Sequence, residues 1–77
     1  MVTSLLEDEQ GALWIGTDGA GVIQLRRGAR TRYGERNGLP PGPVRCLVSD
    51  RRGGVWACTP HGLAEIARGE VRVFGAA

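Results

Sequence analysis

The stretch Asp8-Glu9-Gln10-Gly11-Ala12-Leu13-Trp14-Ile15-Gly16-Thr17 returns 42 positions later as Asp50-Arg51-Arg52-Gly53-Gly54-Val55-Trp56-Ala57-Cys58-Thr59. The aspartate, the turn glycine, the tryptophan and the threonine all fall in register. Outward from this block, Val2 falls on Val44 and Leu5 on Leu47 at the same offset. After a one-residue deletion the offset becomes 41, pairing Gly21 with Gly62, Leu25 with Ile66, Gly28 with Gly69, Tyr33 with Phe74 and Gly34 with Gly75. Rare residue types and turn glycines recur together, which marks a tandem duplication. A period of this length belongs to the class of propeller blades.

Each copy reads as four short strands. In the first they are Val2 to Glu7, Leu13 to Thr17, Val22 to Leu25 and Arg30 to Tyr33; in the second, Val44 to Ser49, Val55 to Thr59, Leu63 to Ile66 and Val71 to Phe74. Gly11 and Gly53 end the first turn of each copy, where a positive φ closes the hairpin. Asp8 and Asp50 open those turns, and a carboxylate there accepts hydrogen bonds from free backbone N–H groups, a structural role. Trp14 and Trp56 lie inside strands among apolar neighbours, which points to packing between blades rather than to stacking on sugar rings.

The expected fold is therefore all-β, with two four-stranded antiparallel propeller blades at residues 1–34 and 44–77. The segment 35–43 between them is rich in proline and glycine and suits a crossover. At about 3.3 Å per residue it can span a blade of strands spaced about 4.8 Å apart. No stretch of ten or more residues carries an amphipathic helical pattern.

The run Leu6-Glu7-Asp8-Glu9-Gln10-Gly11-Ala12-Leu13-Trp14-Ile15-Gly16-Thr17-Asp18-Gly19, with Tyr33 and then Asn37-Gly38-Leu39-Pro40, resembles the two-component regulator propeller repeat. The second copy departs from the pattern at Ala57-Cys58 and at Pro60-His61. The resemblance implies blades of an extracytoplasmic, periplasmic propeller in a bacterial sensor. Such a propeller binds a ligand, commonly carbohydrate-derived, and signals to a histidine kinase or a diguanylate cyclase. Any kinase or cyclase activity would belong to other parts of a parent protein, and no cofactor is expected for the blades themselves.

Other function classes find little support in the residues. The 77-residue chain is one small domain at most, and a chain of that size buries only about 60 to 65% of its unfolded surface. Ten arginines and no lysine stand against eight acidic residues, for a net charge of +2. The two signs alternate along the chain instead of forming the basic stripe of a nucleic-acid binder. Ser4 and Ser49, the only serines, fall in inner strands, and His61 is the only histidine, so no nucleophile triad is expected. The glycine-rich 16–21 segment lacks the lysine and the following helix of a phosphate loop. Two cysteines match no zinc pattern, no window is long and apolar enough to span a bilayer, and Met1-Val2-Thr3-Ser4 lacks the basic start of a signal peptide.

Hairpin register sharpens one expectation, and blade topology and blade number add two more. If Asp50 faces Gly54, then Val48 faces Trp56 and Cys46 faces Cys58, while the corresponding pair in the first copy is Ser4 and Gly16. Directly opposed cysteines lie within reach of a bridge in an oxidising compartment, although two packed free thiols are the simpler expectation. Loops after the second and fourth strands of a blade share one end, which gathers Asp18, Arg36, Asn37 and His61 as candidate ligand contacts. Closed propellers have about four to eight blades, so two blades leave two sheet faces to be covered. Further blades of the same polypeptide would cover them, or identical chains assembling as a carbohydrate-binding trimer or tetramer.

Overall fold

The structure, a computed structural model, describes residues 1–50 and 53–74. Arg51 and Arg52 of the second Asp-to-Gly turn, and the Gly75 that pairs with Gly34 in the repeat, lie outside the described residues. The fold is all-β, as the duplication requires. Strands β1 (Val2–Glu7), β2 (Leu13–Thr17), β3 (Val22–Arg26) and β4 (Ala29–Tyr33) form one antiparallel sheet in the order β1-β2-β3-β4. Strands β5 (Cys46–Ser49), β6 (Val55–Thr59), β7 (Gly62–Ala67) and β8 (Glu70–Phe74) form a second in the order β5-β6-β7-β8. These are two propeller blades.

Local chemistry sets the strand ends. Gly11 and Gly53 take φ values of 87° and 90° at the first turn of each blade. The last hairpin of each blade closes in two residues, since Arg26 pairs with Ala29 and Ala67 with Glu70. β5 begins at Cys46, two residues later than Val44, because the Val44 N–H donates to Thr17 O of the other blade at 3.0 Å. A backbone group committed to the neighbouring sheet cannot also serve its own ladder. The crossover is not wholly irregular: Glu35–Asn37 form a single 3₁₀ turn, with Asn37 N–H and Gly38 N–H donating to Gly34 O and Glu35 O at 2.9 and 3.1 Å.

The two sheets bury opposite faces of equivalent strands. Opposed residues on neighbouring strands share a face, so Leu6, Trp14, Val22 and Tyr33 lie together in blade 1. In blade 2 the buried set is Val55, Ala57, Ala64 and Ile66, with the partly buried Leu47 packed against it, and alternation places all five on the face opposite Trp56. Both sets join one apolar core with Val44 and Leu39. Trp14 is 2% exposed there and stacks on Tyr33 with ring centroids 6.1 Å apart. Trp56, its repeat equivalent, is half-buried and leans on Phe74 at 5.3 Å. The stacking is thus head to tail: the tryptophan face of one blade meets the aliphatic face of the next.

Between the sheets, Gly16 is required by close approach. A Cβ there would collide with Ser4 Oγ and lie 2.9 Å from Val44 Cγ1. Glycine at 16 lets Val44, at the start of blade 2, settle onto β1 and β2. The Thr3 hydroxyl donates to Val44 O and fixes the same junction.

In the second blade, the expectation of two packed free thiols is overturned. Cys46 and Cys58 are directly opposed, with Cα atoms 5.0 Å apart, and are joined by a disulfide. The register that puts Ser4 against Gly16 in blade 1 puts one sulfur against the other here. The bridge lies on the outward face of blade 2, beside Trp56.

Candidate functional site

Crossover and turns build one end of the molecule. After β4 the chain passes Val71 at Gly38, Gly62 at Pro40, and Pro60 and His61 at Gly42 before reaching Val44. It thereby crosses the end of blade 2 from outer to inner edge. Leu39 is anchored in the core, and the His61 Nδ1 lies 3.1 Å from Pro41 O. The β2–β3 turn comes up beside this path, held by Thr17, whose hydroxyl donates to Gly21 O at 2.7 Å and accepts from Ala20 N–H at 2.9 Å. Thr59 repeats the staple in blade 2, donating to Gly62 O at 2.9 Å and accepting from His61 N–H at 3.2 Å.

A cleft of about 650 Å³ opens where crossover and turn meet. That volume is in the range of small-molecule sites, about 300 to 1,000 Å³. Gly19 and Gly21 line one wall, and Glu35, Arg36 and Asn37 the other, with Arg32 between them. Arg32 is held in place, because its Nε donates to Ala20 O at 2.9 Å. Arg36 is exposed and has no hydrogen bond or ion pair among the described residues. The cleft therefore offers two guanidinium groups against one carboxylate, a lining suited to a polar or anionic ligand.

The four candidate contacts all lie at this end, but only Arg36 and Asn37 line the cleft. Asn37 has a local duty, since its Oδ1 accepts the Gly34 N–H at 2.9 Å. Asp18 is exposed in the β2–β3 turn and His61 in the β6–β7 turn. Arg32 was not singled out by the sequence, where it reads as one more exposed strand residue. Its proximity to the cleft follows from its Nε bond to Ala20, which no spacing reveals.

At the other end, Asp8 is a structural hub. It is 8% exposed; its Oδ1 accepts the Gln10 and Ala12 N–H groups at 2.9 and 3.0 Å, and its Oδ2 accepts Trp14 Nε1–H at 2.8 Å. Burial pushes the carboxyl up, but the Trp14, Ala12 and Gln10 hydrogen bonds and the Arg26 charge outweigh it and hold the group below its ordinary value. Asp50 repeats part of this, its Oδ1 accepting the Gly54 N–H at 3.0 Å. No cluster of three or more His, Cys, Asp or Glu side chains among the described residues is placed to hold a metal ion. No helix among them is long and apolar enough to cross a membrane.

With sheets, stacking and turns in view, the comparison with known families is decisive. The sequence model of the two component regulator propeller family matches residues 1–19 and 38–61, more than half of the chain. The chain belongs to the two component regulator propeller family. The matched stretches hold β1 and β2 of blade 1 and, in blade 2, the end of the crossover with β5 and β6, which are the parts carrying the turn aspartates and the tryptophans. No curated protein and no solved structure matches the chain.

Proposed function

We propose that these two blades are a segment of a ligand-sensing propeller in a bacterial two-component-type signalling receptor. They bind a ligand or a protein and carry out no chemistry of their own. The observation that carries the reading is the outward tryptophan face of blade 2, the counterpart of the face that blade 1 buries. Such a face calls for a further blade, and further blades make a receptor-sized propeller. The Cys46–Cys58 disulfide supports an extracytoplasmic site, where oxidising conditions let such bridges persist. The cleft between the β2–β3 turn and the crossover is the ligand site in this reading, with Arg36 as its principal contact and a carbohydrate-derived molecule as its ligand class.

Glycan-array screening of the purified chain, followed by calorimetry on the glycans retained, tests the ligand site. Arg36→Ala is expected to weaken binding at least about tenfold, the loss of one charge-assisted contact. Binding that survives Arg36→Ala combined with Arg32→Ala, the two cations that line the cleft, places the ligand elsewhere and overturns the assignment.

A further inference from the structure

The two outward faces look like a matched pair. Blade 2 presents Trp56, Phe74 and Val48, and blade 1 presents the exposed Leu5 with half-buried Ile15 and Ile23. Head-to-tail addition of a second copy would reuse the stacking seen within the chain. One detail opposes it. Within the chain, Val44 settles onto the site left open by Gly16, which has no room for even a Cβ. At the equivalent site on the outward face of blade 2 stands Cys58, bridged to Cys46. Val2 is the repeat equivalent of Val44, is 56% exposed, and is the residue a second copy would bring to that site.

We propose that the Cys46–Cys58 bridge selects the neighbour of blade 2. The Trp56 face accepts a further blade whose residue at the Val44 position is no larger than alanine, and it rejects a second copy of this chain, which offers Val2. The inference rests on the blade-stacking reading above and adds the identity of the partner. Cys58 puts a Cβ and a sulfur where blade 1 has only Gly16, and the Cys46 sulfur stands where blade 1 has the smaller Ser4 oxygen; overpacking of a close-packed interface forces side chains or backbone to move. Closure into a ring of identical chains is disfavoured by the same contact, so the occupant is a blade of different sequence.

Sedimentation equilibrium on designed variants tests this. All carry Ile15→Ala and Ile23→Ala, so that blade 1 presents outward the same small residues as Ala57 and Ala64 of the observed interface. This background chain is expected to remain unassociated. Adding Val2→Ala, or instead Cys46→Ser with Cys58→Gly, removes the same obstruction from either side. Each is expected to tighten self-association by about tenfold to a hundredfold, with β-sheet circular dichroism retained. Equal association of background and relieved chains, abolished by Trp56→Arg, overturns the selection and leaves stacking on this face intact. Association indifferent to Trp56→Arg, or no association by any folded variant, removes the stacking as well. A natural-sequence chain that forms a trimer or tetramer through the Trp56 face likewise overturns the selection.

Discussion

Trp14 Nε1 donates a 2.8 Å hydrogen bond to Asp8 Oδ2, tying the buried strand tryptophan to the aspartate that opens its own hairpin. One residue fixes the turn through its backbone contacts and the other fills the core, and the bond makes them a unit. The duplicated Asp and Trp are thus parts of one device, which holds the β1–β2 turn against the apolar core.

The carboxylate of that unit predicts an acid-sensitive fold. Its folded value lies below the ordinary 3.8, so the stabilisation is fully present above that value and is lost as pH falls through the lowered one. Thermal melts from pH 7 down to pH 2.5 are expected to show a decline beginning below about pH 4. Asp8→Asn keeps an acceptor for the turn but turns an amide donor toward Trp14 Nε1–H. It is expected to cost about 1 to 3 kcal/mol at neutral pH and to flatten the acid decline. An unchanged acid limb in the variant would assign the transition to another group.

Equivalent tryptophans in unequal surroundings predict unequal losses. Trp14→Ala empties a space at 2% exposure and is expected to cost about 3 to 5 kcal/mol, enough to unfold a domain of this size. Trp56→Ala, on the open face, is expected to cost about 1 kcal/mol or less in the isolated chain. Urea titrations followed by circular dichroism compare the two directly, and equal losses would mean that the outward face is covered in solution.

Reduction of the disulfide is expected to lower stability without changing the fold. The bridge closes a loop across a separation of 12 residues, and restricting an unfolded loop of that size stabilises by roughly 3 kcal/mol in the chain-entropy account. The Cys46→Ala, Cys58→Ala chain should show the same drop in urea midpoint as the reduced natural chain. If both match the oxidised midpoint, the bridge contributes nothing to folding.

The architecture was largely legible in the residues because the duplication repeats its punctuation. Asp8 with Gly11, and Trp14 with Tyr33, return as Asp50 with Gly53 and Trp56 with Phe74, and antiparallel pairing then fixes which residues oppose each other. That register brought Cys46 opposite Cys58, but whether opposed thiols are bonded is a question of distance and environment. The burial of Leu39, the reach of Arg32 to Ala20 and the 3₁₀ turn at Glu35–Asn37 were not legible, since each depends on how the crossover settles on blade 2. The threonine at 17 and 59 was visible as a match, while its role as a turn staple needed the carbonyls of Gly21 and Gly62 in place.

The two-residue turns carry a correctable strain. Arg27 and Arg68 sit at φ values of 50° and 55°, each followed by a glycine that is also at positive φ. Such turns suit the twist of the flanking strands, but the first position favours asparagine or glycine over a long side chain, whose Cβ crowds the carbonyl in the left-handed region. Arg27→Asn and Arg68→Asn are each expected to stabilise the chain by about 0.5 to 1 kcal/mol. Because the two turns belong to different sheets and lie far apart in the chain, the gains should add. For a domain of this length the double variant, with a summed gain of about 1 to 2 kcal/mol, is expected to melt roughly 4 to 16 °C higher. Arg26→Asn, in the strand just before the first turn, serves as the control and should give no gain. A double variant that melts with the natural chain would show that the positive φ at these arginines costs nothing.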